Sequence, residues 1–365
     1  MRRLARGISK VIIFSGLIFP YLQNIVCAAD YTIGVYYYPG WSPYTKGSHE
    51  PDPWLAIKAY PEREPLLGWY NDAQRQVLDT QLGWMGDYGI DFVTFDWYWE
   101  KGRPAPETSV RAYLQSPERA RVRYALLWAN HTKEPRTLQE WDALVDYWIG
   151  RHLQNPEYVK IQGKPVLFVF SADVIRDQAK IIGLKVAEML DRAREKAKAA
   201  GLPGIYFVLS VPATDYWVKK FAPESGFDAL SAYNYHFGLA GNSDQRTPDS
   251  HSFEELDSAY QMQWNWIIKN SNLPYFIPMT SGWDKRPWGG SKKDPRHDDS
   301  MSTPDSFERH LLKARALLKA NPSKTQGVGM VCCWNEYGEG SYVEPTKLYG
   351  FEYLKRINKV FGGGE

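Results

Sequence analysis

Eight short runs of apolar, β-branched and aromatic residues recur along the chain, with helical periodicity between them. They are Thr32–Tyr38 (TIGVYYY), Asp91–Trp97 (DFVTFDW), Val122–Trp128 (VRYALLW), Pro165–Phe170 (PVLFVF), Ile205–Val211 (IYFVLSV), Ala229–Tyr235 (ALSAYNY), Tyr275–Met279 (YFIPM) and Val328–Trp334 (VGMVCCW). The spacing predicts a helix opened by the capping box Thr137-x-x-Glu140, with Trp141, Leu144, Val145 and Trp148 on one face. It predicts a second after Ser252-x-x-Glu255, a third from Gln178 to Ala200 ended by Gly201, and a fourth started by Thr303-Pro304. Strands alternating with helices imply an α/β protein with a parallel sheet. Eight such units predict a single (β/α)8 TIM barrel, and Pro39–Asn71 becomes a long first βα loop. An open doubly wound sheet is the rival, but no GxGxxG follows the first strand.

The barrel is expected to span residues 30–361, followed by a loose tail at 362–365. Residues 1–29 form a different pattern: Arg2, Arg3, Arg6 and Lys10, then the apolar run VIIFSGLIF, then small residues at Cys27-Ala28-Ala29. This is the three-part form of a secretory signal, with cleavage expected near Ala28 or Ala29 and a secreted or periplasmic product. Pro20, Gln23 and Asn24 break the run before the ~18–20 residues a membrane span needs, so no stable span is expected after cleavage. Removing those four basic residues takes the formal net charge from +2 to a slightly negative value, which gives no electrostatic case for nucleic acid. The cysteines then left are the neighbours Cys332 and Cys333; neighbours on a strand point to opposite faces, so the fold is expected to rest on its core and not on a disulfide.

Chemistry-capable side chains fall at the ends of the predicted strands: Tyr38, Asp96, Asn130 with His131, Tyr235 with His236, Trp283 with Asp284, and Glu336. In a barrel those ends converge on one face. The densest motif is CWNEYGEGSYVEP at 333–345, where Glu336 and Glu339 flank Gly338, whose freedom permits a turn that brings both carboxylates to one side. Two carboxylates in a partly desolvated cleft divide into an acid and a base, as glycoside cleavage requires. A solvated acidic loop or a calcium site is the alternative. Glu344, beside Pro345, reads as a rim or capping residue. Trp97 and Trp99 beside Asp96 offer stacking faces for sugars or, equally, core packing. Fifteen Trp and twenty-four Tyr exceed what cores usually require, a hint of a polyol site. Trp41, Trp128, Tyr233, Asn234, Trp334, Asn335 and Tyr342 complete the substrate-binding candidates. No HxH, HExxH, CxxC, GxSxG or P-loop spacing is present, so no metal or cofactor is expected.

The segments IGVYYYPGW, GIDFVTFDWYW, LLWAN, YVKIQGKPVLFVF, SGWD and WNEYGEGSYVEP together resemble the WbsX-type proteins, relatives of glycoside hydrolase family 99. The resemblance runs from about Tyr31 to Phe361 and implies a (β/α)8 barrel acting on an oligo- or polysaccharide. Family 99 enzymes are endo-acting and retaining, with two glutamates three apart in N-E-W-H-E-G. Glu336 and Glu339 fall on those positions, although Tyr337 and Gly338 replace Trp-His and WANHT stands where that family carries another glutamate. By this resemblance Glu339 is the general acid/base, and Glu336 deprotonates the sugar 2-hydroxyl, which attacks C1. The expected function is an exported glycoside hydrolase. A non-catalytic carbohydrate-binding barrel and a glycosyltransferase-like role in polysaccharide assembly are the alternatives.

Overall fold

The computed structural model describes residues 31–43, 52–105, 107–132, 134–236 and 249–362. The proposed signal segment and the tail beyond Gly362 lie outside the described residues. Eight strands form the barrel: β1 (Thr32–Tyr37), β2 (Phe92–Trp97), β3 (Arg123–Trp128), β4 (Lys164–Val169), β5 (Tyr206–Ser210), β6 (Ala229–Ser231), β7 (Ile277–Thr280) and β8 (Val328–Cys332). They pair in parallel in the order β7-β8-β1-β2-β3-β4-β5-β6. The ring closes through a bridge between Leu230 and Tyr275, where the Phe276 amide donates to the Leu230 carbonyl at 2.9 Å. The strands are buried along nearly their whole length, which is why they read as continuous apolar runs and not as alternating ones.

Helices fill the outer layer: α1 (Arg75–Asp87), α2 (Thr108–Gln115), α3 (Leu138–Trp148), α4 (Ala172–Ile182), α5 (Val186–Ala199), α6 (Phe253–Asn270), α7 (Pro304–Ala320) and α8 (Glu352–Phe361). The Thr137, Ser252 and Thr303 hydroxyls accept from the amides of Glu140, Glu255 and Ser306, so the three caps stand where the sequence placed them. One expected element divides. The run from Gln178 to Ala200 is two helices, because Gly183 takes a left-handed φ of 84° and the Leu184 amide turns back to the Ala179 carbonyl.

Tryptophan supplies much of the contact between barrel and helices. Trp128, at the end of β3, sits against Trp141 and Trp148 of α3 with ring centroids 5.7 and 5.5 Å apart. Each such pair adds about 0.5–1.5 kcal/mol to what area burial gives. The first βα loop is held by its own aromatics: Trp41 stacks on Trp54 at 3.8 Å, and the Trp54 indole donates to the Tyr70 carbonyl. At the end of β8 the sequence expectation fails. Cys332 and Cys333 are joined in a disulfide across a cis peptide bond. The opposite-faces argument holds only inside a strand, and β8 stops at Cys332.

Candidate active site

A cavity of about 810 Å³ opens at the C-terminal ends of the strands. Glu336 and Glu339 enter it from a small antiparallel hairpin that follows β8, in which Asn335 and Glu336 pair with Ser341 and Tyr342. The Glu339 amide donates to the Glu336 carbonyl at 3.2 Å, which folds the two glutamates over the same opening. Gly338 is needed for a different reason from the turn freedom inferred above. The Trp288 ring packs on it, and a Cβ there would lie 2.0 Å from that ring. Gly340 supplies the left-handed turn, with φ of 72°.

Neighbouring loops and strand ends hold the hairpin in place. The Asp284 amide donates to the Glu339 carbonyl at 2.7 Å. Arg63, from the first loop, is fully buried; its guanidinium donates to the carbonyls of Asp284 and Tyr337 at 3.0 and 2.7 Å and pairs with the Asp284 carboxylate. Arg286 adds a second ion pair to that carboxylate, and together the guanidiniums hold Asp284 below its usual range against the cost of burial. The Asn335 side-chain oxygen accepts from the Tyr38 amide at 2.9 Å, and its carbonyl accepts from the Trp41 indole at 3.0 Å.

Tyr38, Asp96, His131, Tyr233, Asn234, Glu336 and Glu339 all line the cavity. The Tyr233 hydroxyl lies 2.9 Å from Glu336 Oε2 and 3.0 Å from Asp96 Oδ2. The second oxygen of each carboxyl is buried with no hydrogen-bond partner among the described residues. Burial pushes Glu339 up to about 7 although the Lys285 charge opposes it. Burial first, then the neighbouring acids, raises Glu336 and Asp96 well above ordinary carboxyls. His236 is driven down to about 3 by burial and by His297 and Lys285, so it is neutral at ordinary pH.

The other sequence candidates lie elsewhere. Trp97 and Trp99 are buried behind the barrel wall, where the Trp97 indole donates to Glu107 at 2.5 Å. Trp128 packs on α3 as described. Asn130 exchanges two hydrogen bonds with the Ser171 backbone and ties the end of β3 to the end of β4. Trp41 and Asn335 support the hairpin, and Tyr342 stacks on Tyr337 at 4.6 Å beneath it. Trp334 is buried at the end of β8. The Tyr235 hydroxyl donates to the Val211 carbonyl. Trp283 lies under the His236 ring with centroids 3.6 Å apart, and Asp284 is held by the two arginines. Glu344 is no rim residue. It is 1% exposed, accepts from Tyr70, Gln81 and Tyr337, and is raised by burial to about 7.

The cavity also takes in Tyr98, Phe170 and Trp288, none of them in the candidate set, together with His236, which the sequence placed at a strand end. Alternation finds the first. In FDWYWE, Asp96 and Tyr98 share the cavity face, while Trp97 and Trp99 share the opposite one. Phe170 continues β4 in the same way, but Trp288 and His236 sit on loops that carry no periodic signal. Among the described residues, no group of three or more His, Cys, Asp or Glu is arranged to hold a metal ion, and no helix is long and apolar enough to cross a membrane.

The barrel is also the fold of solved structures that superpose on this chain. The GH99 endo-α-mannosidase from Bacteroides thetaiotaomicron superposes with a TM-score of 0.62 at 14% identity, over 90% of this chain and 96% of that one. A structure described as a glycoside hydrolase-like protein gives 0.62 at 15% identity, over 91% and 94%. These likenesses show the (β/α)8 barrel fold. Residues 58–357 match the sequence model of the family described as "Glycosyltransferase WbsX", and the chain belongs to that family. It is also 20% identical over 312 residues to a protein of Xanthomonas campestris pv. campestris named WxcX, covering 79% of this chain but only 41% of that protein's length.

Proposed function

We propose that the protein is an exported glycoside hydrolase that cleaves within a polysaccharide or glycan chain and retains the anomeric configuration. The observation that carries this reading is the convergence of Glu336 and Glu339, both raised by burial, in one cavity where an oxygen of Glu336 is unpartnered among the described residues. With its proton held to about pH 7, Glu339 protonates the departing glycosidic oxygen. Glu336 takes the proton of the sugar 2-hydroxyl as that oxygen closes on C1, giving a 1,2-anhydro sugar. Water then opens it at C1, giving one proton to Glu339, while O2 regains its own from Glu336. The cavity volume lies within the ~300–1,000 Å³ of sites that enclose drug-sized ligands, so it has room for more than one sugar ring. The basic-then-apolar N-terminal segment supports export.

A glycosyltransferase is the second reading, favoured by the description of the family. The charge of the site argues against a nucleotide-sugar donor. The described lining residues include five carboxyl groups, on Asp96, Glu100, Glu134, Glu336 and Glu339, three of them raised by burial, and a single lysine, Lys101, so they offer a diphosphate little positive charge. A diphosphate calls for the opposite balance.

Incubation with a panel of polysaccharides, reading reducing ends, separates these readings. The hydrolase releases reducing ends from at least one polymer, and both Glu336→Ala and Glu339→Ala abolish release. Wild-type rates in either variant would remove the assignment. Binding of a polymer with no release after long incubation would mark a non-catalytic carbohydrate-binding barrel. Incorporation of sugar from a nucleotide donor would mark a transferase.

A further inference from the structure

The contact of Tyr233 with two acids does not balance if both are ionised. A phenol carries one hydrogen, and burial together with the neighbouring acids keeps this one on the oxygen at any ordinary pH. Yet Asp96 Oδ2 and Glu336 Oε2 both sit within 3.0 Å of that oxygen. The phenol donates to one, and the other then faces its lone pairs. An anion in that second position meets only repulsion, while its remaining oxygen is buried and unpartnered among the described residues. A protonated carboxyl in that position donates to the phenol oxygen and completes the chain.

We propose that Asp96, Tyr233 and Glu336 form a proton-sharing triad: the Asp96 carboxyl donates to the Tyr233 oxygen and the Tyr233 hydroxyl donates to Glu336. Asp96 is then a permanently neutral hydrogen-bond donor, and Tyr233 is the positioning residue that keeps Glu336 ionised beside Glu339. That one proton is shared follows from the contacts alone. Its assignment to Asp96 rests on the glycosidase reading, in which Glu336 is the base and must be free to accept a proton. The groups facing the triad come from each surrounding segment: Tyr38 at the end of β1, Tyr98 after β2, His131 after β3, His236 after β6, Lys285 after β7 and Glu339 on the hairpin. Lys285 acts on Glu339, burial lowers both His236 and His131, and the charges that shift Asp96 and Glu336 are acids and not Lys101, so no described cation at the triad replaces the shared proton.

The triad makes different predictions for its two supporting members. Tyr233→Phe removes the donor that stabilises the Glu336 anion, so Glu336 titrates about one pH unit higher or more. Asp96→Asn keeps a neutral donor to the phenol and removes no charge, so Glu336 titrates about where it does in the wild type. The test is carboxyl 13C NMR of the full chain labelled in Asp and Glu, with Asp96 and Glu336 assigned by their disappearance in Asp96→Asn and Glu336→Gln. At pH 7 Asp96 is expected to read as protonated and Glu336 as ionised. Two ionised groups at pH 7, or an unmoved Glu336 in Tyr233→Phe, would overturn the triad; a protonated Glu336 beside an ionised Asp96 would overturn its order. This arm needs no substrate, so it stands even if no polymer is cleaved. On a polymer that is cleaved, the acid limb of kcat moves up in Tyr233→Phe and stays in place in Asp96→Asn, with KM within about threefold. A fall in kcat with the limb unmoved in Tyr233→Phe would mark a merely structural role, and a limb that moves down in Asp96→Asn would show an ionised Asp96; either overturns the proposal.

Discussion

Glu336 and Glu344 lie eight residues apart on one segment, both buried, and both are raised by that burial, yet their surroundings differ in kind. Glu344 accepts from Tyr70, Gln81 and Tyr337, which satisfies both of its oxygens. Glu336 has only the Tyr233 hydroxyl, shared with Asp96, and its other oxygen is unpartnered among the described residues at the wall of the cavity. The difference teaches that burial and a raised pKa do not by themselves mark a catalyst. A carboxyl whose hydrogen bonds are complete is a strut, locking the hairpin to α1 and the first loop. A carboxyl left incomplete next to open space keeps an oxygen for something else.

The comparison breaks most visibly in activity. Glu336→Gln is expected to lower the rate of reducing-end release on the order of 10²–10⁴-fold, and Glu344→Gln to leave it within about threefold. Equal losses in the two variants would erase the distinction. The next effect is on stability. Glu344 titrates near pH 7 in the folded protein and near 4.3 in an unfolded chain, so the folded state binds more protons between those values. Stability from this group therefore falls as pH rises from about 4 through 7, by on the order of 3 kcal/mol. The amide of Glu344→Gln does not titrate, so urea denaturation should place the variant better relative to wild type at pH 8 than at pH 5. A constant difference between those two pH values would show that Glu344 is not held protonated.

A smaller effect tests how the hairpin is held. Gly338→Ala drives a methyl into the Trp288 ring, at a cost of about 1–3 kcal/mol and with loss of activity as the glutamates shift. Adding Trp288→Ala should recover the stability but not the activity, because Trp288 also lines the cavity. The smallest concerns the buried aromatics. Trp97→Phe breaks the indole's bond to Glu107 and should cost about 1–3 kcal/mol with unchanged activity. A large rise in KM would put Trp97 back at the substrate.

Much of the barrel was legible because strands buried on both faces leave continuous apolar runs, and the run from Val328 to Cys332 is such a strand from end to end. The split at Gly183 was harder to see, since a single glycine in a helical pattern is tolerated as often as it terminates. In the site, the residues at strand ends were readable from topology, as with Tyr38, Asp96 and Glu336. The tryptophans were harder. FDWYWE names two large aromatics, but period-2 alternation turns both away from the cavity and turns Tyr98 toward it. Arg63 was beyond local reading altogether. Its meaning lies in Asp284, which is 221 residues further along the chain. Glu344 was misread for a related reason, since its partners Tyr70 and Gln81 come from the first loop and α1.

Proton NMR of a cleaved polymer during the first turnovers tests the central claim most directly, with wild type and Glu339→Gln followed side by side. The account predicts that the first anomer formed by the wild type has the configuration of the bond cleaved, and that Glu339→Gln forms none on the same timescale. An inverted first product, or an unchanged rate in the variant, would contradict it.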